Sequence, residues 1–330
     1  MGATSRHTLA GLLAVGCAVF GAGCGKDDEP SSTGDPATAA PSAAGFPKPG
    51  SGSIDDFVAE VGETNEIVAA PSGQVFTPGK ARFGFALFDV AGPQIDDADT
   101  AVYLETEDGT VEGPFTARME SLEVQSAYQA ESVAEGDPTS VYVADVPLVD
   151  PGARRLVAVV RDSEGNFAAT NFQEAISVKD QPRIPAEGDP APSVHTPTLD
   201  DVADVSEIDT RVPASTMHAE DLADVLGEKP VVLLFATPAL CMSRVCGPVV
   251  DVTEQVKAEY GNDATFIHME IWEKNEFDPK NPNTRPQVEE FGLFTEPWLF
   301  VIDENGDVAT RIEGAFSAAE LEDALDPLIG

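Results

Sequence analysis

Two cysteines, Cys241 and Cys246, are the residues whose type and spacing carry the most chemistry in this 330-residue chain. A thiol pair can exchange disulfides, resolve a sulfenic acid, hold a metal ion or staple a loop. Geometry constrains the choice. On an ideal helix, residues i and i+5 have Cα atoms about 8.6 Å apart, whereas a disulfide needs less than about 7 Å. The two thiols therefore bond only if part of the segment between them is irregular. Pro248 points the same way, because a helix that begins at about residue 245 or later loses no hydrogen bond to it. A loop over 237–246 and a helix from about Gly247 are expected. The positive end of that helix, together with Arg244, favours a thiolate at Cys246. As a mere staple, the short loop contributes only about 2 kcal/mol.

The elements around the pair follow from periodicity. The apolar run Val231–Ala236 is a strand buried on both faces. Val249, Val252, Val256 and Tyr260 recur at helical spacing, and Gly261-Asn262 ends that helix. Residues 265–272, 298–303 and 307–312 are further strands. Ser317 and Glu320 form a capping box ahead of a helix whose apolar face carries Leu321, Leu325 and Leu328. A short helix is expected over 219–226. His268 and Met269 read as sheet residues with apolar neighbours, His218 as a start-of-helix residue, Glu270 and Glu273 as solvated, and Trp298 as a packing residue.

A buried strand, a cysteine pair, a long helix, then Pro297 leading into a hairpin: this order resembles the thioredoxin fold over about 110 residues, 218–330. The motifs are Thr237-Pro238-Ala239-Leu240-Cys241 to Cys246-Gly247-Pro248, and Thr295-Glu296-Pro297-Trp298. The resemblance implies a cis peptide before Pro297, facing the cysteines, and Cys241 as the nucleophile with Cys246 resolving. That order disagrees with the helix-terminus argument for Cys246. The chain also departs from the family. Four residues separate the cysteines instead of two, Leu233 stands where thioredoxins carry a buried acid, and Glu296 precedes the proline. Glu296 is a candidate to shuttle protons or select a substrate. The C-x4-C spacing is similar to one branch of peroxiredoxins, in which Arg285 or Arg311 would serve the peroxidatic site. The resemblance thus implies thiol–disulfide exchange with a partner protein; a thiol peroxidase acting on peroxide and a non-enzymatic surface protein with a structural disulfide stay open. No cofactor motif is present, and no His occupies the position that copper-binding relatives use, so no cofactor and no metal are expected.

The rest of the chain reads as delivery and scaffold. Leu9–Phe20 is an apolar run too short to span a bilayer, followed by Gly21-Ala22-Gly23-Cys24. It resembles a bacterial lipoprotein signal (1–23) with Cys24 as the lipidated residue, while Cys17 leaves with the leader. That implies a lipid-anchored protein on the extracytoplasmic side of the cell membrane, where disulfides persist. Residues 24–53 are Gly, Pro, Ala, Ser, Thr and charge, the composition of a disordered tether. From 54 to 178, short β-prone runs alternate with Gly and Asp turns, as in an immunoglobulin-like β-sandwich. Residues 179–217 are a Pro-rich linker and lead-in. The expected fold class is therefore two-domain, all-β then α/β. With 58 Asp+Glu against 19 Lys+Arg, the formal charge of −39 excludes a nucleic-acid binder, because a phosphate backbone needs cations to neutralise it.

Overall fold

β-Branched and aromatic runs between glycine and aspartate turns become strands in the first half of the chain. A computed structural model describes residues 38–134, 136–280 and 282–329. The signal segment 1–23, Cys17, Cys24 and the first part of the expected tether lie outside the described residues. Helix α1 (Ile54–Val61) starts at a Ser53–Asp56 capping box. After it come β1 (Ile67–Pro71), β2 (Gly79–Asp89), β3 (Gln94–Ile95), β4 (Asp99–Glu105), β5 (Val111–Ser121) and β6 (Ser140–Leu148). Then follow β7 (Gly152–Arg154), β8 (Leu156–Arg161), β9 (Phe167–Asn171) and β10 (Ile176–Val178).

The main sheet runs β1-β2-β6-β5-β4-β8-β9, with β3 on β2; β7 and β10 pair separately. Every neighbouring pair in it is antiparallel. Its two ends meet: Ala69 bridges Phe172, and Thr170 Oγ1 donates to the Ile67 carbonyl at 2.8 Å. One curled sheet, nearly closed into a barrel, thus stands where the alternation predicts a sandwich of two sheets. Period-two alternation establishes that each strand has an inner face. It does not say whether that face is covered by a second sheet or by the same sheet curling back. Inside the barrel, the Phe172 ring meets Phe83 and Phe85 edge-on, with centroids 5.0 and 5.5 Å away. Outside, α1 covers one flank through Phe57 and Tyr103, 4.4 Å between centroids. The expected tether is docked where it is described. Thr38 bridges Met119, Phe46 is buried, and Tyr103 donates to the Pro47 carbonyl at 2.6 Å. A single aromatic residue, Phe46, anchors this otherwise polar stretch.

The second half is α/β. Residues 179–217 have little regular structure yet are packed, with Ile184, Ile208 and Met217 buried. After them come α2 (Leu222–Val225), β11 (Val231–Phe235), α3 (Cys246–Tyr260), β12 (Thr265–Met269), α4 (Pro286–Glu290), β13 (Trp298–Ile302), β14 (Val308–Glu313) and α5 (Ala318–Leu325). The sheet order is β12-β11-β13-β14, with β12 parallel to β11 and the other pairs antiparallel. Strands β11, β12 and β13 are buried along their whole length, so both faces must be covered. On one face Val232, Leu234 and Leu299 pack against Val249, Val252 and Leu321 of α3 and α5. On the other, Leu233, Phe235 and Phe300 meet Phe291 and Ile184.

Barrel and α/β body share one compact unit. Glu320 accepts from Arg82 Nε and Nη2, both at 2.7 Å, and from Arg118 Nη2 at 2.8 Å. Glu120, which also holds Arg118, accepts from Ser317 Oγ at 2.6 Å. Glu313 accepts the backbone N–H groups of Gln74 and Val75. Among the described residues, no helix is long and apolar enough to cross a membrane.

Candidate active site

Strand β11 delivers the chain to the buried Ala236 and Thr237, and a loop then carries it outward to Cys241. Cys241 is half-buried, Met242, Ser243 and Arg244 are exposed, and Cys246 is fully buried as the first residue of α3. Cys241 and Cys246 form a disulfide with a Cα–Cα distance of 5.9 Å. The loop makes that approach possible. Arg244 takes the left-handed conformation, φ 63°, which reverses the chain just before α3. The helix begins within one residue of the expected Gly247, and Pro248 falls in its first turn, where its missing N–H leaves no gap.

The surroundings of the two sulfurs differ. The Cys246 N–H points at Cys241 Sγ from 3.3 Å, and Ser243 Oγ lies 3.2 Å from the same sulfur. The positive end of α3 is therefore aimed at Cys241, although Cys246 is the residue that starts the helix. The Glu296–Pro297 peptide is cis and Pro297 is buried. Ser243 Oγ reaches the Glu296 carbonyl at 3.5 Å, which ties the cysteine loop to the proline segment. Burial pushes the Glu296 carboxyl above its ordinary range, and the Met242 N–H that it accepts offsets only part of this. Trp298 is buried, stacks on Phe300 and donates to Thr295 Oγ1 at 2.9 Å, a packing role. Leu233 lies in the core among apolar side chains.

The barrel reaches this site. Arg244 Nε and Nη2 contact Asp137 Oδ1 at 3.0 and 2.9 Å. Behind the loop, Asp251 of α3 accepts from the Ala130 N–H and from Arg211 Nε, both at 2.8 Å. A Cβ on Gly247 would stand 3.1 Å from Val133, so α3 and the 130–139 loop are in close contact. No motif in the sequence marks Asp137 as part of this site.

No protein-family model and no curated protein matches the chain. Among the solved structures it resembles are thiol:disulfide interchange proteins. One is a candidate thiol:disulfide interchange protein, DsbE, from Chlorobium tepidum, with 21% identity and a TM-score of 0.31. Another is a thiol:disulfide interchange protein of the thioredoxin family from Chlorobium tepidum TLS, at 22% and 0.30. Each alignment covers 44% of this chain and 99% of the other.

Several side chains differ from their sequence reading. Glu270 is 1% exposed, not solvated, and Thr210 donates to it through both N–H and hydroxyl at 2.7 Å. Arg285 and Arg311 hold backbone carbonyls, Trp272 and Glu207 for the first, Ile184 and Pro185 for the second. His218 and His268 are both buried, and they meet Asp209. Their spacing along the chain, 50 and 59 residues, hides that meeting from any local motif.

Proposed function

We propose that this protein is an extracytoplasmic thiol–disulfide oxidoreductase, lipid-anchored at Cys24, that works through Cys241 and Cys246. The observation that carries the reading is the asymmetry of the pair. Cys241 is reachable, with the Cys246 N–H aimed at its sulfur and the Ser243 hydroxyl 3.2 Å from it, whereas Cys246 is fully buried behind it. An N–H at a helix start favours the thiolate, the nucleophilic form. Cys241 is therefore assigned the attacking role and Cys246 the resolving one. The Cys241 thiolate attacks one sulfur of a partner disulfide; a mixed disulfide forms and the partner's other sulfur leaves as a thiolate. Cys246 then loses its proton and attacks Cys241 Sγ. The Cys241–Cys246 bond forms, the partner's second sulfur leaves and takes up a proton, and two electrons have passed to the partner. The reverse direction uses the same atoms, with the bonded pair as electron acceptor. Pro297 and Glu296 form the wall against which the partner's backbone lies. The partner is a protein carrying a thiol or disulfide.

Trapping tests the assignment. With a disulfide-bonded model peptide, Cys246→Ser accumulates the mixed disulfide on Cys241, and Cys241→Ser accumulates none. Equal trapping by both variants overturns the assignment of roles. A wild-type disulfide potential well below about −300 mV without turnover marks an inert staple. Sulfenic acid forming at Cys241 with peroxide faster than exchange with the peptide favours a peroxidase instead.

A further inference from the structure

The loop leading from β11 to Cys241 is backed by a buried cluster that the exchange chemistry does not use. Asp209 Oδ2 lies 2.9 Å from His218 Nε2 and 3.5 Å from His268 Nδ1. Ser215 Oγ lies 3.2 Å from each of the same two nitrogens. Asp209, His218 and His268 are 3%, 2% and 1% exposed. In a tetrahedral zinc site with ligands at about 2.0–2.1 Å, neighbouring donor atoms stand about 3.3–3.4 Å apart. The separations of Asp209 and Ser215 from the two ring nitrogens, 2.9–3.5 Å, span that value, and the ligand atoms of Asp209, His218 and His268 all lie within 4.8 Å of one another.

The contacts outside the cluster fix one ring and leave the outer nitrogen of the other free. His268 Nε2 is 3.1 Å from the Ala236 carbonyl, so this nitrogen carries a proton, and in the neutral ring Nδ1 turns a lone pair inward. A ring N–H held by a backbone carbonyl is the outer bond that metal-bound histidines make. Asp209 is held in place by the N–H groups of Arg211 and Ser215, at 2.7 and 2.6 Å. His218 Nδ1 is buried with no hydrogen-bond partner among the described residues. It lines a small void with Glu270, whose Oε2 is unpartnered too. Without an ion, His218 Nε2–H donates to Asp209 Oδ2 at 2.9 Å; a cation at the centre would place that proton on Nδ1 and turn the Nε2 lone pair inward. The 3.5 Å between His268 Nδ1 and Asp209 Oδ2 is longer than a good N–H···O bond. A carboxylate and two imidazoles, in an interior closed to water, form a donor set that one cation can hold together.

We propose that Asp209, His218 and His268, with Ser215 Oγ as fourth donor, form a structural site for one divalent transition-metal ion of the zinc class. Imidazole and carboxylate ligands suit that class. The ion joins the 209–218 segment to β12 and, through the His268–Ala236 bond, supports the chain that runs on to Cys241. The site is independent of the thiol chemistry, since neither cysteine is a ligand.

Zinc retention by the full chain decides the matter. The protein, with its disulfide kept oxidised, is stripped with a chelator and incubated with zinc chloride. It is then passed through a weak competing chelator, which removes ions loosely held by the acidic surface. Elemental analysis is expected to find one zinc per chain in the wild type and in Cys241→Ser/Cys246→Ser, and almost none in His218→Gln/His268→Gln. Cobalt(II) is the second probe, because its tetrahedral absorption bands report the site in the wild type even if the histidine variant does not fold. No retained zinc together with no tetrahedral cobalt spectrum in the wild type overturns the proposal, as does equal retention by a folded histidine variant. Nitrogen NMR showing His268 doubly protonated at neutral pH in zinc-treated protein overturns it too, since a proton then supplies the positive charge.

Discussion

Glu296 meets the cysteine loop twice: its carboxylate accepts the Met242 N–H, and its carbonyl accepts from Ser243 Oγ. Its carboxyl is pushed up by burial, so the folded state holds its proton more tightly than the unfolded chain does. The sign follows from linkage: Glu296 stabilises the fold at low pH relative to high, and that contribution is lost as pH rises through its folded value. Glu296→Gln, which keeps shape and removes the charge, is expected to raise the melting temperature at pH 8 and leave it nearly unchanged at pH 4. Thermal scans at the two values check this. The same substitution removes a negative charge one residue from Cys241, and the Cys241 thiol is expected to ionise at lower pH. Thiolate absorbance of the reduced protein reads that shift. A melting temperature lowered equally at both pH values would mean that the carboxylate acts only through packing.

The 130–139 loop of the barrel and the 241–246 loop meet through Asp137 and Arg244. Arg244 sits in a left-handed conformation that leads the chain into α3, so its anchor holds the turn that brings the cysteines together. Exposed ion pairs contribute at most about 1 kcal/mol, and Arg244 is 55% exposed. Asp137→Asn is therefore expected to leave the melting temperature within a few degrees of wild type. The rate at which dithiothreitol reduces Cys241–Cys246 is expected to rise, because the turn is less firmly held. An unchanged reduction rate would show that the contacts of Asp251 with Ala130 and Arg211 hold the loop without this pair.

Barrel and α/β body are joined by charges that this acidic chain can supply only sparingly. Burial pushes the Glu320 carboxyl up, but Arg82 and Arg118 outweigh it and hold the group below its ordinary range. A carboxyl lowered in the folded state contributes stability that is present above its unfolded value, near pH 4.3, and is lost as pH falls through the lower folded value. Unfolding below about pH 4 is the expected result. Glu320→Gln removes one partner of a buried network and is expected to cost about 3 kcal/mol at pH 7, with a shallower loss in acid. Denaturant titrations at pH 7 and pH 3.5 measure both. A variant as stable as wild type at pH 7 would assign the junction to the apolar contacts and the Glu313 bonds instead.

Short-range chemistry was legible in the chain itself. The i+5 spacing and Pro248 demanded an irregular cysteine loop with a late helix start, and α3 begins at Cys246. The unbroken apolar run 231–235 is a strand buried on both sides, and Ser317 and Glu320 cap α5 as read. Each of these depends on backbone constraints that act over a few residues. Longer-range outcomes were not legible: the closing of the barrel, the docking of 38–53 through Phe46, the burial of Glu270, and the meeting of Asp209, His218 and His268. They depend on which surfaces face each other once many weak contacts are summed, and no local pattern records that sum. The helix terminus shows the division most plainly. Its position was readable from Pro248, but its aim at Cys241 and not Cys246 depends on the reversal at Arg244, which brings Cys241 back over the first N–H of α3.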